Sequence, residues 1–284
     1  MLLPRIFSFI ILWAAIIGLI WFQLTTAAAC LAAIAALLAQ WEFYSFQRAR
    51  GLKVFQKAGV TCGAFFFVLC IASGRGDLPE WLDWQALAIL VVILGAISRQ
   101  VFEKDHSTST TTIALTILGF FYVPYLFHFL IALLFRPGLP GEGLVLALYL
   151  IAVTKMTDAG AYLTGTFFGR HKMIPRISPG KTWEGFVGGV LAALVCSLTL
   201  IAFFPDRLAM LAGPHGWILG IGLGMVSVIG DLGESLIKRD AHIKNSGSTI
   251  PGIGGFLDLV DSLLFTGPLF YFYLNALSRA GWWS

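Results

Sequence analysis

A dense group of charged residues lies close to the C-terminal end of this 284-residue chain. Asp231, Glu234 and Lys238 recur at helical spacing, so one helix face carries two carboxylates and an ammonium group. After a glycine-rich turn, Asp258 and Asp261 follow three residues apart at the start of a second helix and share a face. Carboxylates that point from two helices into one cavity suit Mg²⁺, which completes its coordination shell with water and substrate phosphates.

Basic and hydroxyl side chains accompany these carboxylates. Lys238, Arg239 and Lys244 add three cations, and Ser235 joins the acidic helix face. Lysine and arginine bind phosphate groups through charge-assisted hydrogen bonds. The combination predicts phosphoryl or nucleotidyl transfer, because that chemistry depends mainly on positioning and on neutralising charge. The alternative is a set of internal ion pairs that only closes a loop.

A second polar string contains Ser178, Lys181 and Glu184. Ser178 precedes a proline, which predicts a helix start with Glu184 in its first turn, and Lys181 and nearby backbone N–H groups are candidates for binding phosphate. The triplet Gly180-Lys181-Thr182 is similar to part of a P-loop, but Pro175 occupies the place of the first glycine. No strand is predicted before the triplet either, so we exclude the P-loop. For Glu184 the alternative is a carboxylate that only caps the helix.

A third polar string begins at Lys155, inside an apolar run. Asp158 and Tyr162 lie four residues apart and therefore share a helix face. An ionisable group inside a bilayer costs about 2.5–3.5 kcal/mol, so such residues tend to face a polar cavity. The alternative is an interfacial helix end from which Lys155 reaches water.

The composition predicts that these three groups belong to a membrane protein. Apolar residues make up 58% of the chain and charged residues 12%, and the mean hydropathy is +0.84. An ordinary soluble domain is about 25% charged, so this chain has too few charges to cover a water-facing surface. The composition therefore excludes a soluble fold, intrinsic disorder and a secreted disulfide scaffold.

Apolar runs long enough to cross a bilayer predict an all-α, polytopic membrane protein with about nine transmembrane helices and a polar site within the membrane on its cytoplasmic side. Pro124 is expected to kink the fifth helix. The predicted spans are 5–22, 25–46, 57–74, 84–101, 112–135, 143–163, 184–204, 216–236 and 259–278.

The basic residues predict the orientation of these spans. With the N-terminus in the cytoplasm, fourteen lysines and arginines fall in cytoplasmic segments and four in outside segments. That bias is the positive-inside pattern of a cytoplasmic membrane protein, with the C-terminus outside and all three polar groups on the cytoplasmic side. The net charge of +4 follows from this topology and from anionic lipid surfaces, so no nucleic-acid partner is expected.

Polar residues are distributed unevenly, which predicts two parts. Residues 1–140 contain simple apolar helices, which we interpret as a scaffold and as a candidate for contacts within a homodimer. Residues 141–284 contain all three polar groups and are predicted to form the catalytic transmembrane domain.

The C-terminal group resembles the signature of the phosphatidate cytidylyltransferases (CDP-diacylglycerol synthases), integral membrane enzymes of phospholipid synthesis. That signature reads Ser-x-x-Lys-Arg, four residues, Lys-Asp, a Pro-Gly-His-Gly-Gly turn and Asp-Arg-x-Asp. It is matched without a gap at Ser235, Lys238, Arg239, Lys244, Pro251, Gly252, Gly254, Gly255, Asp258 and Asp261. The strings at 158–162, 178–185 and 230–234 are similar to further motifs of the family. The chain departs from the signature at Asn245, Ile253 and Leu259, none of which removes a candidate metal ligand.

The resemblance implies an Mg²⁺-dependent reaction in which phosphatidate attacks the α-phosphorus of CTP, giving CDP-diacylglycerol and pyrophosphate. It implies Mg²⁺ on Asp231 and Asp258 with Asp261 close by, and Asp158 as a ligand of a second cation. The catalytic residues are then Asp231, Asp258, Asp261, Lys238 and Arg239. The substrate-binding residues are Tyr162, Ser178, Lys181, Glu184, Glu234, Ser235, Lys244, Gly254 and Gly255.

Other functions remain open at this point. A cation-coupled membrane transporter also uses glycine-broken helices and buried carboxylates, although residues 1–140 contain no matching half-site. Another CTP-dependent lipid enzyme, such as a polyprenol kinase, would instead give a lipid monophosphate and release CDP. An intramembrane aspartyl protease is disfavoured, because neighbouring lysines and arginines oppose the raised carboxyl pKa that its mechanism needs.

Overall fold

A computed structural model describes residues 13–14, 16–19, 21–136, 141–241 and 254–279. Within these residues, eight helices are long and apolar enough to cross a membrane, which confirms the all-α, polytopic fold class. Most of the first predicted span, 5–22, lies outside the described residues, so the count of nine helices stays a prediction. The observed helix ends lie within five residues of the ends predicted for the other eight spans.

Ten helices follow one another along the described residues. They are α1 (Thr25–Ala49), α2 (Gln56–Arg75), α3 (Trp84–Val101), α4 (Ser109–Phe120), α5 (Leu126–Leu134), α6 (Glu142–Phe168), α7 (Trp183–Phe203), α8 (Pro214–Asp240), α9 (Phe256–Val260) and α10 (Leu263–Arg279). A 3₁₀ turn, Ala209–Leu211, precedes α8. Helices α4 and α5 form one membrane crossing, as do α9 and α10.

The predicted disturbance at Pro124 takes the form of a π-helical segment, Phe121–Tyr125, between α4 and α5. Proline has no N–H to donate, and its ring collides with the carbonyl group four residues earlier in a regular α-helix. The wider π-helical turn accommodates both effects without ending the crossing.

A short β-hairpin between α6 and α7 corrects two expectations about the second polar string. Strand β1 (Lys172–Ile174) pairs in antiparallel fashion with β2 (Ser178–Thr182). The prediction of a helix start at Ser178 was wrong, because a residue before proline favours extended backbone and Thr182 supplies the helix cap instead. The expectation that no strand precedes Gly180 was also wrong, so the argument against a P-loop rests on Pro175 alone.

Glycines allow α6 and α7 to approach closely. A Cβ atom on Gly160 would lie 2.4 Å from Cβ of Ala192, and one on Gly189 would lie 2.8 Å from the carbonyl oxygen of Thr157. Small residues at such contacts are typical of membrane helices, which gain little from the hydrophobic effect when they pack together. This close contact fixes the position of α6, which carries Lys155 and Asp158, against α7.

The apolar core continues across the predicted boundary at residue 140. Phe129 of α5 packs on Tyr271 of α10, with ring centroids 5.3 Å apart, and one cluster of buried side chains contains residues from both parts. The division into 1–140 and 141–284 therefore stays a prediction, and the two parts share a core.

Contacts between helix ends agree with the predicted alternation of sides. Arg50, after α1, forms an ion pair with Asp240 at the end of α8, and both were predicted on the cytoplasmic side. Arg136, after α5, donates a hydrogen bond to the side-chain oxygen of Asn275 over 2.8 Å, and both were predicted near the outside. Each contact joins helix ends that were predicted on the same side, so the helix bundle has two distinct ends. Which end faces the cytoplasm stays a prediction.

Candidate active site

Three carboxylates converge where α8 meets the junction of α9 and α10. Asp231, Glu234 and Asp261 each place one oxygen within 4.8 Å of the other two, which makes a carboxylate trio. Helical spacing puts Asp231 and Glu234 on one face of α8, and the break after α9 turns Asp261 towards them. Glu234 and Asp261 are buried, with 2% and 5% of their surface exposed.

Lysines from three elements connect the trio to two further carboxylates. On α6, Lys155 Nζ lies 3.6 Å from Asp158 and 4.0 Å from Asp261. On α8, Lys238 Nζ lies 2.7 Å from Glu234 and also contacts Asp258 of α9. Lys155 and Asp158 of the third polar string therefore lie beside the C-terminal group.

The hairpin adds the third lysine. Lys181 Nζ lies 2.8 Å from Asp231 Oδ2 and 3.4 Å from the carbonyl oxygen of Val228. Arg239 Nε donates a hydrogen bond to the carbonyl oxygen of Ile177, which ties the end of α8 to the hairpin. The second polar string therefore contributes a cation to the same site.

The charges of this site suit a divalent cation. The ionisable side chains that these contacts connect are Asp158, Asp231, Glu234, Asp258, Asp261, Lys155, Lys181 and Lys238. Five carboxylates and three ammonium groups leave two negative charges uncompensated when all eight are ionised. Hard oxygen ligands with such a surplus of charge are what Mg²⁺ requires, so the residues present fit this ion.

The turn before α9 brings a backbone donor to Asp258. The N–H of Gly255 donates a hydrogen bond to Asp258 Oδ2 over 2.7 Å. Gly254 has a positive φ of 125°, and a Cβ atom there would lie 2.4 Å from that oxygen. Both glycines therefore act through their backbone, because the close approach of a carboxylate leaves no room for a side chain.

Glu184 holds the hairpin. Its carboxylate accepts hydrogen bonds from the backbone N–H groups of Arg170 and His171 and also contacts the imidazole ring of His171. These contacts place Glu184 beside the lysine-bearing strand. Its predicted role in substrate binding stays untested.

Replacing Thr182 with alanine is expected to lower the free energy of unfolding by about 1 kcal/mol, because α7 loses its N-cap. In the native chain, Thr182 Oγ1 accepts a hydrogen bond from the N–H of Gly185 over 3.1 Å. Thr182→Ser keeps this hydroxyl group and should retain most of the stability. Thermal unfolding in detergent micelles measures both variants, and equal losses would contradict the capping role.

Other predicted site residues are not brought into the ion-pair network. Tyr162 is 65% exposed, and its side chain makes no hydrogen bond or ion pair with another described residue. Ser178 and Ser235 are half-buried, and the described residues include no hydrogen-bond partner for either hydroxyl group. Lys244 lies outside the described residues, as do Asn245 and Ile253 of the signature.

Glu42 of α1 was missed by the sequence interpretation. It is 9% exposed, and its Oε2 accepts a hydrogen bond from the N–H of Leu257 in α9 over 2.9 Å. An ionisable residue inside predicted span 25–46 was the available signal, because the insertion cost that singled out Lys155 applies equally to Glu42.

Comparison with known proteins adds an independent observation. Residues 3–277 match the profile described as "Cytidylyltransferase family". The chain belongs to this family. The match covers both predicted parts of the chain, so the N-terminal helices are included in the family relationship as well as the polar C-terminal half.

Individual relatives agree with the family profile. The phosphatidate cytidylyltransferase of Haemophilus influenzae is 33% identical over 98% of this chain and 100% of its own length. That of Bacillus subtilis is 38% identical over 70% of this chain and 71% of its own length. "Uncharacterized protein YnbB" of Escherichia coli is 36% identical over 69% of this chain. The membrane-spanning helices and these bacterial relatives indicate an integral protein of the inner membrane.

Proposed function

We propose that this chain is a phosphatidate cytidylyltransferase, which transfers the cytidylyl group of CTP to phosphatidate with the help of Mg²⁺. The convergence of three carboxylates beside three lysines carries the proposal. The names of the relatives support the choice of CTP and phosphatidate.

The proposed reaction is a single displacement at phosphorus. A phosphate oxygen of phosphatidate attacks the α-phosphorus of CTP and forms a new phosphorus–oxygen bond. The bond between the α-phosphorus and the bridging oxygen breaks, and pyrophosphate leaves with that electron pair. The phosphatidate headgroup is already an anion, so the site needs no general base to create the nucleophile.

In this proposal Asp231, Glu234 and Asp261 hold Mg²⁺, with Asp258 and Asp158 as further predicted ligands. When bound, the ion would supply positive charge that stabilises the negative charge on the leaving pyrophosphate. Phosphoryl-group chemistry is catalysed mainly by positioning and by such charge stabilisation.

The basic side chains of the site have a complementary role. Lys155, Lys181 and Lys238 are paired with carboxylates, and a triphosphate would offer each ammonium group a second anionic partner. Arg239, on the exposed end of α8, is placed to attract a phosphate that arrives from water.

The proposed orientation puts this site at the cytoplasmic face of the inner membrane. CTP then approaches from the cytoplasm, while the acyl chains of phosphatidate and of the product stay in the bilayer. A cytoplasmic N-terminus, an outside C-terminus and a homodimer stay predictions.

Two labelled forms of CTP test the proposed reaction on purified protein with phosphatidate and Mg²⁺. CTP labelled at the α-phosphorus is expected to transfer its label to lipid, and CTP labelled at the γ-phosphorus to release it as pyrophosphate. A CTP-dependent lipid kinase would label lipid from the γ-position only. Label in lipid from the γ-position, or no labelled lipid from either form, would refute the proposal.

A cation-coupled transporter is the second function to exclude. Family membership favours an enzyme over a transporter. Cation uptake into proteoliposomes without turnover of CTP would support transport. Turnover of CTP in detergent, where no ion gradient exists, would show that the reaction does not depend on such a gradient.

A further inference from the structure

The N-terminal part contributes a buried carboxylate next to the active site. Glu42 lies in α1, far along the sequence from the signature, and accepts a hydrogen bond from the N–H of Leu257 over 2.9 Å. Gly255 makes room for this contact, since a Cβ atom there would lie 2.4 Å from Glu42 Oε2. A buried carboxylate oxygen needs a hydrogen-bond donor, and the N–H of Leu257 supplies one, so the contact links α1 to α9.

Two carboxylates accept hydrogen bonds from the backbone N–H groups at the start of α9. Asp258 Oδ2 accepts from the N–H of Gly255, and Glu42 Oε2 accepts from the N–H of Leu257. The first N–H groups of a helix have no partner within it, and α9 contains five residues only, so external acceptors decide whether it forms. Glu42 therefore holds the helix whose one acidic side chain is Asp258.

Lys238 also pairs with Asp258, a carboxylate outside the carboxylate trio. The ammonium group of Lys238 is shared between Asp258 and Glu234, and Glu234 is a member of the trio. If Asp258 moved away, Lys238 would lose its ion pair with Asp258 and keep its ion pair with Glu234. An ammonium group on Glu234 competes with a metal cation for the same oxygens.

We propose that Glu42 is a positioning residue of the cation site: by accepting the N–H of Leu257 it holds α9, and so keeps Asp258 beside Lys238 and the carboxylate trio open to a divalent cation. The cation's role in catalysis rests on the proposed function, but its binding can be measured without turnover.

Binding of Mn²⁺ to the purified full-length protein, followed by electron paramagnetic resonance without CTP, tests this inference. Glu42→Ala is expected to weaken Mn²⁺ binding about tenfold, as is typical when a residue behind the metal ligands is lost. Glu42→Gln keeps an acceptor oxygen at the same reach and should bind Mn²⁺ within about threefold of wild type. Glu42→Asp keeps the charge but withdraws it from Leu257, and should resemble the alanine variant.

Glu142→Ala is the control, because Glu142 is also a buried glutamate but lies at the start of α6, at the opposite end of the helix bundle. It is expected to leave Mn²⁺ affinity unchanged, whatever it does to thermal stability. The inference is overturned if Glu42→Ala binds Mn²⁺ as wild type does, or if Glu42→Gln fails to restore affinity. Should Glu42→Ala fail to fold, the Mn²⁺ affinities of Glu42→Asp and Glu42→Gln are compared instead. Equal affinities of these two variants overturn the inference.

Cytidylyl transfer by the same preparations separates the two proposals. Wild-type protein that binds Mn²⁺ but converts no CTP would refute the proposed function and leave the role of Glu42 standing. Active wild-type protein with unaltered Glu42 variants would refute the role of Glu42 alone.

Discussion

Asp261→Asn is expected to reduce the rate of CDP-diacylglycerol formation by at least about a hundredfold, because the carboxylate trio loses a charged ligand at a buried position. Asp261 is 5% exposed, so water has little access to replace the missing charge. Asparagine has nearly the same shape, which confines the change to charge. Transfer of label from α-labelled CTP to phosphatidate, at saturating Mg²⁺, measures the effect.

Asp77→Asn is the matched control for this substitution. Asp77 is an aspartate that forms an ion pair with Arg75 at the other end of the helix bundle. It should retain the wild-type rate, so a loss in Asp261→Asn alone is assigned to the trio. A variant Asp261→Asn that keeps more than about a tenth of the wild-type rate would contradict the assignment.

Lys238→Met is expected to lower the free energy of unfolding by about 3–5 kcal/mol, the usual cost of removing one partner from a buried ion pair. The substitution leaves Glu234 and Asp258 close together without the ammonium group between them. Added Mg²⁺ should recover part of the loss, since a divalent cation replaces the missing positive charge. Thermal unfolding in detergent, with and without Mg²⁺, measures both effects.

An exposed lysine provides the comparison. Lys57 lies at the start of α2, and the described residues include no ion-pair partner for its side chain. Lys57→Met should unfold within about 1 kcal/mol of wild type. If Lys238→Met has the same unfolding temperature as Lys57→Met, the ion pairs of Lys238 with Glu234 and Asp258 do not stabilise the fold.

The membrane crossings were predictable because one physical requirement defines them. Each needs about 20 apolar residues, and a run of that length leaves little freedom in where a helix begins or ends. The hairpin escaped prediction for the opposite reason. A serine before a proline occurs in strands as well as at helix starts. Only the structure shows that α7 begins after Thr182, whose side chain caps it.

The site was predictable along each helix and less so between helices. Helical spacing correctly put Asp231, Glu234 and Lys238 on one face of α8. The sequence interpretation gave Mg²⁺ to Asp231 and Asp258 with Asp261 close by, and the described geometry groups Glu234 with Asp231 and Asp261. Which carboxylates meet depends on how α9 packs, and that packing includes Glu42 from a distant part of the chain.

The number of Mn²⁺ ions bound by wild type and by Asp261→Asn, counted by electron paramagnetic resonance, tests most directly whether acidic side chains of the last helices converge on one cation. We expect wild type and Asp77→Asn to bind a tight ion that Asp261→Asn lacks. Equal numbers and affinities in all three proteins would contradict the account.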